Sequence, residues 1–225
     1  EMPAWFSSMK EEHLAVRQGV GVFDISHMGI LEVTGDGADA FMQRLSTNSI
    51  KRALDSKMIY SMFLNEEGMI LDDVMFGKFK DTWHLIVNGS NKQKISDWMH
   101  SHKPADVEIN EKNSTHSLIA VQGPNAAKIL DSVLDNPISK VGRFNIAAAT
   151  FKSVDILACR TGYAGEDGFE LMIAHNEIEN LFNTLLQSGV APCGLAARDT
   201  LRIEFGLPLY GQELSEKIHP FMTRY

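Results

Sequence analysis

Two carboxylates stand side by side inside an otherwise apolar run, Gly68-Met69-Ile70-Leu71-Asp72-Asp73-Val74. In an extended chain neighbouring side chains leave on opposite faces, so water reaches one of these acids easily while the other points toward a core or a pocket. A carboxylate taken out of water must be paired, hydrogen-bonded or functional, because burial changes its affinity for protons. The plain alternative is one acid in solvent and the other capping a turn.

A second segment, Arg160-Thr161-Gly162-Tyr163-Ala164-Gly165-Glu166-Asp167-Gly168-Phe169-Glu170, joins two apolar runs through three glycines, three acids and a tyrosine. Its glycines permit close approach of backbone to a ligand, and they equally suit an ordinary hairpin loop. Because the segment joins strand to strand rather than strand to helix, it is no phosphate-cradling dinucleotide loop. Glu170 and Phe169 face opposite sides of their strand. A third segment, Gly194-Leu195-Ala196-Ala197-Arg198-Asp199-Thr200-Leu201-Arg202, reads as helix. Arg198 there is either half of a surface pair with Asp199, worth little, or a rigid multidentate donor reaching into a cleft.

Other chemistries find no support. The eight histidines are dispersed, and the nearest pair, His100 and His102, diverges on a helix, so no metal site is expected. There is no GxSxG, and neither Cys159 nor Cys193 sits in a catalytic motif, so a hydrolase triad has no basis. With 21 Lys and Arg against 29 Asp and Glu, the 225-residue chain carries a formal charge of −8 and no basic run longer than Lys51-Arg52, which argues against a nucleic-acid partner. No apolar stretch reaches the ~20 residues of a membrane helix, and the N-terminus lacks a signal pattern. Two distant cysteines suit a reducing compartment. A soluble, cytoplasmic protein is expected.

The elements that must position these residues follow from the apolar spacing. Strands are expected over 30–33, 59–64, 69–76, 83–87, 117–121, 154–160 and 169–172, with hairpin loops at 65–68 and 80–81. Helices are expected over 38–45 and 91–102, after Pro124, and through Ile178, Leu181, Phe182, Leu185 and Leu186 up to Gly189. The order lacks the βαβα alternation of a doubly wound sheet, which makes the fold class α+β.

The strings themselves carry a resemblance. Gly21-Val22-Phe23-Asp24-Ile25-Ser26-His27-Met28-Gly29, the Gly68–Val74 run, Val121-Gln122-Gly123-Pro124, Thr161–Glu170, and Gly194–Arg202 continuing to Leu209-Tyr210-Gly211 stand in one order and spacing. Over essentially the whole chain they resemble the aminomethyltransferase, or T-protein, family of the glycine cleavage system. The resemblance implies transfer of the methylene of an aminomethyl group, carried on the lipoyl arm of the H-protein, to tetrahydrofolate as co-substrate, with release of ammonia. Such a transfer needs electrostatic help for a cationic carbon and proton handling at a folate nitrogen, both of which a buried carboxylate supplies.

By position in the motifs, Asp73 corresponds to the family's catalytic aspartate, and Glu170 to the carboxylate that accepts hydrogen bonds from the pterin. The 2-amino group and N3–H of a reduced pterin form a donor edge suited to two carboxylate oxygens. Tyr60, Asn88, Tyr163 and Arg198 match further positions of the folate site. The implied partners are the lipoylated H-protein and tetrahydrofolate, with no metal, nucleic acid or membrane.

The implied fold is a folate-binding α+β one, with mixed or antiparallel sheets and packed helices. A split domain of residues 1–50 and 115–225 is expected around an inserted domain of residues 51–114. Members are commonly longer, with a C-terminal β-barrel domain of ~100 residues or more. This chain stops at Tyr225, so that barrel is expected to be absent from it, and an initial Glu rather than Met suggests that the gene begins upstream. The same scaffold also serves folate-dependent demethylases and a non-transferase folate-binding protein that maintains iron–sulfur enzymes. The flavin-type GxGxxG of the amine dehydrogenases is missing, and Gly206-Leu207-Pro208-Leu209-Tyr210-Gly211-Gln212-Glu213 lacks the cysteine of the iron–sulfur group. Both departures favour the aminomethyltransferase reading.

Overall fold

The computed structural model describes residues 3–54 and 56–224. In chain order the elements are α1 (Met9–Gln18), β1 (Gly21–Asp24), β2 (Gly29–Thr34), α2 (Ala38–Leu45), β3 (Met58–Leu64), β4 (Ile70–Phe79), β5 (Thr82–Val87), α3 (Lys92–His102), β6 (Glu108–Glu111), β7 (His116–Gln122), α4 (Ala126–Val133), β8 (Ile146–Phe151), β9 (Val154–Cys159), β10 (Gly168–Ala174), α5 (Ile178–Gln187), β11 (Ala191–Pro192) and α6 (Leu195–Phe205). This is the expected α+β class. Among the described residues no helix is long and apolar enough to cross a membrane.

The chain divides into two compact units, the first made of residues up to His27 together with Ser114–Leu207. Its sheet runs β11-β1-β7-β10-β9-β8, antiparallel except where β1 lies parallel to β11. Period-2 alternation along β10 sends Phe169, Leu171 and Ile173 into a core with Ile119, Val121, Leu130, Leu181 and Leu185, so α4 and α5 cover that face. Glu170 and Met172 point the other way. Gly189, at φ +85°, ends α5 in the left-handed conformation that costs glycine nothing.

Helix α1 carries no apolar stripe, and its buried residues are Glu12 and Val16. Ser8 caps it, accepting from the Glu11 N–H at 3.2 Å while donating its hydroxyl to the Glu11 carboxylate at 3.0 Å. The Glu12 carboxylate accepts the N–H groups of Phe6, Ser7 and Gly194. A buried acid thus does the docking that apolar residues usually do.

The second unit holds Met28–Asn113 and the chain from Pro208 onward. Its antiparallel sheet has the order β3-β4-β5-β2-β6. One face buries Val74, Phe76, Trp83 and Leu85 against Phe41, Met42 and Leu45 of α2 and Ile95 and Met99 of α3. Trp83 is fully buried and its indole N–H donates to Asp39 at 2.9 Å, so its truncation to alanine should cost about 3–5 kcal/mol. On the other face Met62 and Ile70 pack with Leu214, flanked by Tyr60, Tyr210 and Ile218.

The unit boundary departs from the expected inserted domain of residues 51–114. β2 and α2 belong with that segment rather than with 1–50, because β2 pairs with β5 on one edge and β6 on the other, and α2 covers their common core. Residues 208 onward also fall with it, through Ile70 N–H donated to Ile218 O and Tyr210 O–H donated to Ile70 O. The ends of the Met28–Asn113 stretch are held together: the Asn113 side chain donates to Met28 O at 2.8 Å and accepts from Ile30 N–H at 2.9 Å.

Candidate functional site

The register of β3 and β4 decides where the paired acids go. Asp72 stands opposite Phe63 and Asp73 opposite Met62, so Asp72 points with Val74 and Phe76 toward the core, and Asp73 shares the other face with Met62 and Tyr60. Ile86 of β5 pairs with Met75, and the chain two residues further brings Asn88 beside Asp73. The expected division of the two acids between faces holds. Asn88, however, reaches both of them.

Asp72 has no exposed surface. Its Oδ2 accepts the backbone N–H of Asn88 at 3.0 Å, and its Oδ1 accepts from Asn88 Nδ2 at 2.8 Å and Asn91 Nδ2 at 2.6 Å. Desolvation pushes its pKa up to about 6 against the pull of Asn88 and Asn91, with the negative charge of Asp73 adding to the rise. Asp73 is half-buried. Its Oδ1 lies 2.8 Å from Asn88 Nδ2, which is also 3.1 Å from the Asp73 carbonyl, and its Oδ2 accepts from the Tyr60 hydroxyl at 3.2 Å. Burial raises its pKa as well, with Asn88 and Tyr60 opposing. None of the ion pairs among the described residues involves either acid. A half-buried carboxylate held only by neutral donors can take up a proton or stabilise positive charge beside it.

Three further predicted residues gather in the first unit. Glu170, half-buried on β10, accepts the Thr161 hydroxyl on Oε2. Burial raises its pKa, and the Thr161 hydrogen bond and the positive charge of Arg198 pull it back. The Arg198 guanidinium on α6 lies 4.4 Å from the centre of the Tyr163 ring. The surface pair with Asp199 is not what Arg198 makes: Asp199 instead accepts from Arg202 Nε at 2.8 Å.

The loop that carries Thr161 and Tyr163 is fixed at several points. Arg160 grips Asp167 with two hydrogen bonds of 2.9 and 2.6 Å, and Arg17 reaches Glu166 at 3.0 Å. Gln122, fully buried, donates from Nε2 to Thr161 O at 3.0 Å. Gly162 is required by this contact, because a Cβ there would lie 1.9 Å from Gln122 Oε1.

Tyr60 and Asn88 therefore both contact Asp73 in the second unit, and Tyr163, Glu170 and Arg198 lie together in the first. Asp72, Asn91, Thr161 and Gln122 join them without having been singled out as site residues. Both cysteines are buried free thiols, and burial pushes Cys193 up to about 12, which leaves it no nucleophile. Among the described residues no group of three or more His, Cys, Asp and Glu side chains could hold a metal ion.

Comparison with known proteins places the chain among relatives. A curated protein from Chloroherpeton thalassium named aminomethyltransferase is 41% identical over 227 residues, a match covering 98% of this chain and 63% of that one. The crystal structure of glycine cleavage system aminomethyltransferase T from Bartonella henselae superposes with a TM-score of 0.90 at 30% identity, covering 97% of this chain and 60% of its own. A heterotetrameric sarcosine oxidase from Corynebacterium sp. U-96 shares the fold at a TM-score of 0.57 and 14% identity, over 80% of this chain and 90% of that one. The chain thus spans somewhat over half the length of the aminomethyltransferases it matches. The model of the GCVT N-terminal domain matches residues 1–225, and the chain belongs to that family.

Proposed function

We propose that this chain acts in a tetrahydrofolate-dependent aminomethyltransferase of the glycine cleavage system, taking the methylene from the aminomethyl-lipoyl H-protein and giving it to tetrahydrofolate with release of ammonia. The observation that carries the reading is Asp73: a half-buried carboxylate of raised proton affinity, held by Asn88 and Tyr60 and in no ion pair among the described residues. Such a group suits a reaction in which positive charge develops on carbon and a proton leaves nitrogen.

Tetrahydrofolate supplies the nucleophilic nitrogen that receives the methylene. Glu170 is assigned to its pterin, and the donor set fits, since one carboxylate oxygen is taken by the Thr161 hydroxyl and the other remains to accept from a donor edge. Tyr163 and Arg198 offer a flat face with a cation stacked on it. Tyr60 and Asn88 are read as residues that hold Asp73. Buried free thiols suit a reducing compartment, and the proposed setting is the cytoplasm.

Calorimetric titration with tetrahydrofolate, run beside a Glu170→Ala variant, tests the binding half. Saturable binding lost in the variant is expected, and binding that the variant retains would remove Glu170 from the site. Turnover with aminomethylated H-protein, followed by appearance of methylenetetrahydrofolate, tests the transfer. Absence of transfer with folate bound would leave a binding protein rather than a transferase.

A further inference from the structure

Asp72 is a buried carboxylate that the proposed reaction does not use. An ionised carboxylate has acceptors only, and the oxygens of Asp72 are met by three N–H donors, two of them from Asn88. The Asn88 amide nitrogen carries two hydrogens and lies 2.8 Å from Asp72 Oδ1 and 2.8 Å from Asp73 Oδ1. One hydrogen therefore goes toward each acid, the one on the Asp73 side lying nearer Oδ1 than the Asp73 carbonyl oxygen at 3.1 Å. Turning the amide over would set its carbonyl oxygen against both carboxylates, an arrangement that loses two hydrogen bonds and adds repulsion.

We propose that Asp72 is a positioning residue for Asp73, fixing the Asn88 amide so that one N–H is committed to Asp73 Oδ1 and the amide carbonyl faces away from both acids. Asp73 Oδ1 is thereby capped, and Oδ2, whose one hydrogen bond among the described residues is the longer contact from Tyr60 at 3.2 Å, is the oxygen left for proton transfer. Asparagine at position 72 cannot replace the acid. It has a single acceptor atom, so its own NH2 would confront either the backbone N–H or the side-chain amides of Asn88 and Asn91, and Asn88 would lose its lock. The term catalytic for Asp73 rests on the function proposed above, whereas the orientation of Asn88 does not.

The experiment is NMR of the asparagine side-chain amides in the 225-residue chain, without substrate. Both Asn88 Nδ2–H signals should be protected from hydrogen exchange in the wild type. In Asp72→Asn that protection should fall at least tenfold, whereas in Asn91→Ala, which loses a donor to Asp72 but leaves Asn88 its two acids, it should persist. Unchanged Asn88 protection in Asp72→Asn would overturn the proposal. If that variant does not fold, the wild type decides, because one freely exchanging Asn88 Nδ2–H is incompatible with it. In turnover, Asp72→Asn should lower kcat, taken per folded enzyme as counted by circular dichroism, about tenfold with KM for tetrahydrofolate within twofold; an unfolded fraction would lower only the uncorrected value. Because the amide signature is read without substrate, failure of the proposed function and failure of this assignment are separate results.

Discussion

Thr161 and Glu170 stand at opposite ends of one loop, and the hydroxyl of the first donates to the carboxylate of the second. Glu170 is thereby held by a neutral donor on one oxygen, and among the described residues no hydrogen bond is donated to the other. The bond crosses nine positions of sequence, so the loop must close before it can form.

Removing that donor should be felt at the ligand. In Thr161→Val, close in shape but without the hydroxyl, Glu170 loses a hydrogen bond of the kind worth about 1.5–3 kcal/mol when the acceptor is charged. Tetrahydrofolate affinity should fall roughly tenfold or more, read by calorimetry, whereas Thr161→Ser should stay within about threefold of the wild type. Equal affinities for the valine and serine variants would show that the hydroxyl does not hold Glu170 for binding.

Asp73→Asn keeps the shape of its pocket and deletes the charge. Transfer should drop by about 100-fold or more, with the dissociation constant of tetrahydrofolate within a few-fold of the wild type. Parallel loss of binding and turnover would make Asp73 a binding residue.

Gly162→Ala probes the clamp. The added Cβ meets Gln122 Oε1 at 1.9 Å and Cδ at 2.5 Å, so the buried Gln122 amide, which donates to Thr161 O, must shift. A loss of about 1–3 kcal/mol is expected in denaturant unfolding. An unchanged midpoint would show that Gln122 relocates at no cost.

Stability should change with pH through Asp72. Its folded pKa of about 6 lies above the ordinary carboxylate value of 3.8, so the native state binds the proton more tightly. The stabilisation from this group is therefore full below about pH 4 and is lost as pH rises through 6, a swing of about 3 kcal/mol. Asp73 and Glu170, also raised, act with the same sign, while His84, lowered by burial, opposes them near neutrality. The difference in unfolding free energy between the wild type and Asp72→Asn should accordingly narrow from pH 5 to pH 8. A constant difference over that range would mean that Asp72 does not titrate there.

What the sequence made legible was local. The stripe of Ile178, Leu181, Phe182, Leu185 and Leu186 announced α5, and alternating apolar runs announced the hairpin of β3 and β4. Helix α1 stayed hidden because Glu12, not an apolar residue, ties it to its surroundings through N–H groups as distant as Gly194. The boundary at Met28 was equally out of reach, since β2 finds its partners more than 50 residues away at Leu85 and Ile86. In the candidate site, alternation separated Asp72 from Asp73 correctly, but no spacing rule reveals one amide serving both. That sharing follows from the register between β4 and the end of β5, a long-range property. Gln122 and Thr161 were visible as motif letters, and only the folded loop turns them into supports for Glu170.

The staple at Asn113 bears on how the first unit, built from both sides of the Met28–Asn113 stretch, can assemble. Closing a chain over a long gap costs entropy that grows with the logarithm of the gap, and the gap here is the whole stretch from Met28 to Asn113. With the ends of that stretch tied by the Asn113 side chain, an already folded insert offers the rest of the chain a short bridge in place of a long loop. Order of events then matters: if the insert folds first, β1 can meet β7 as a near neighbour rather than as a distant one.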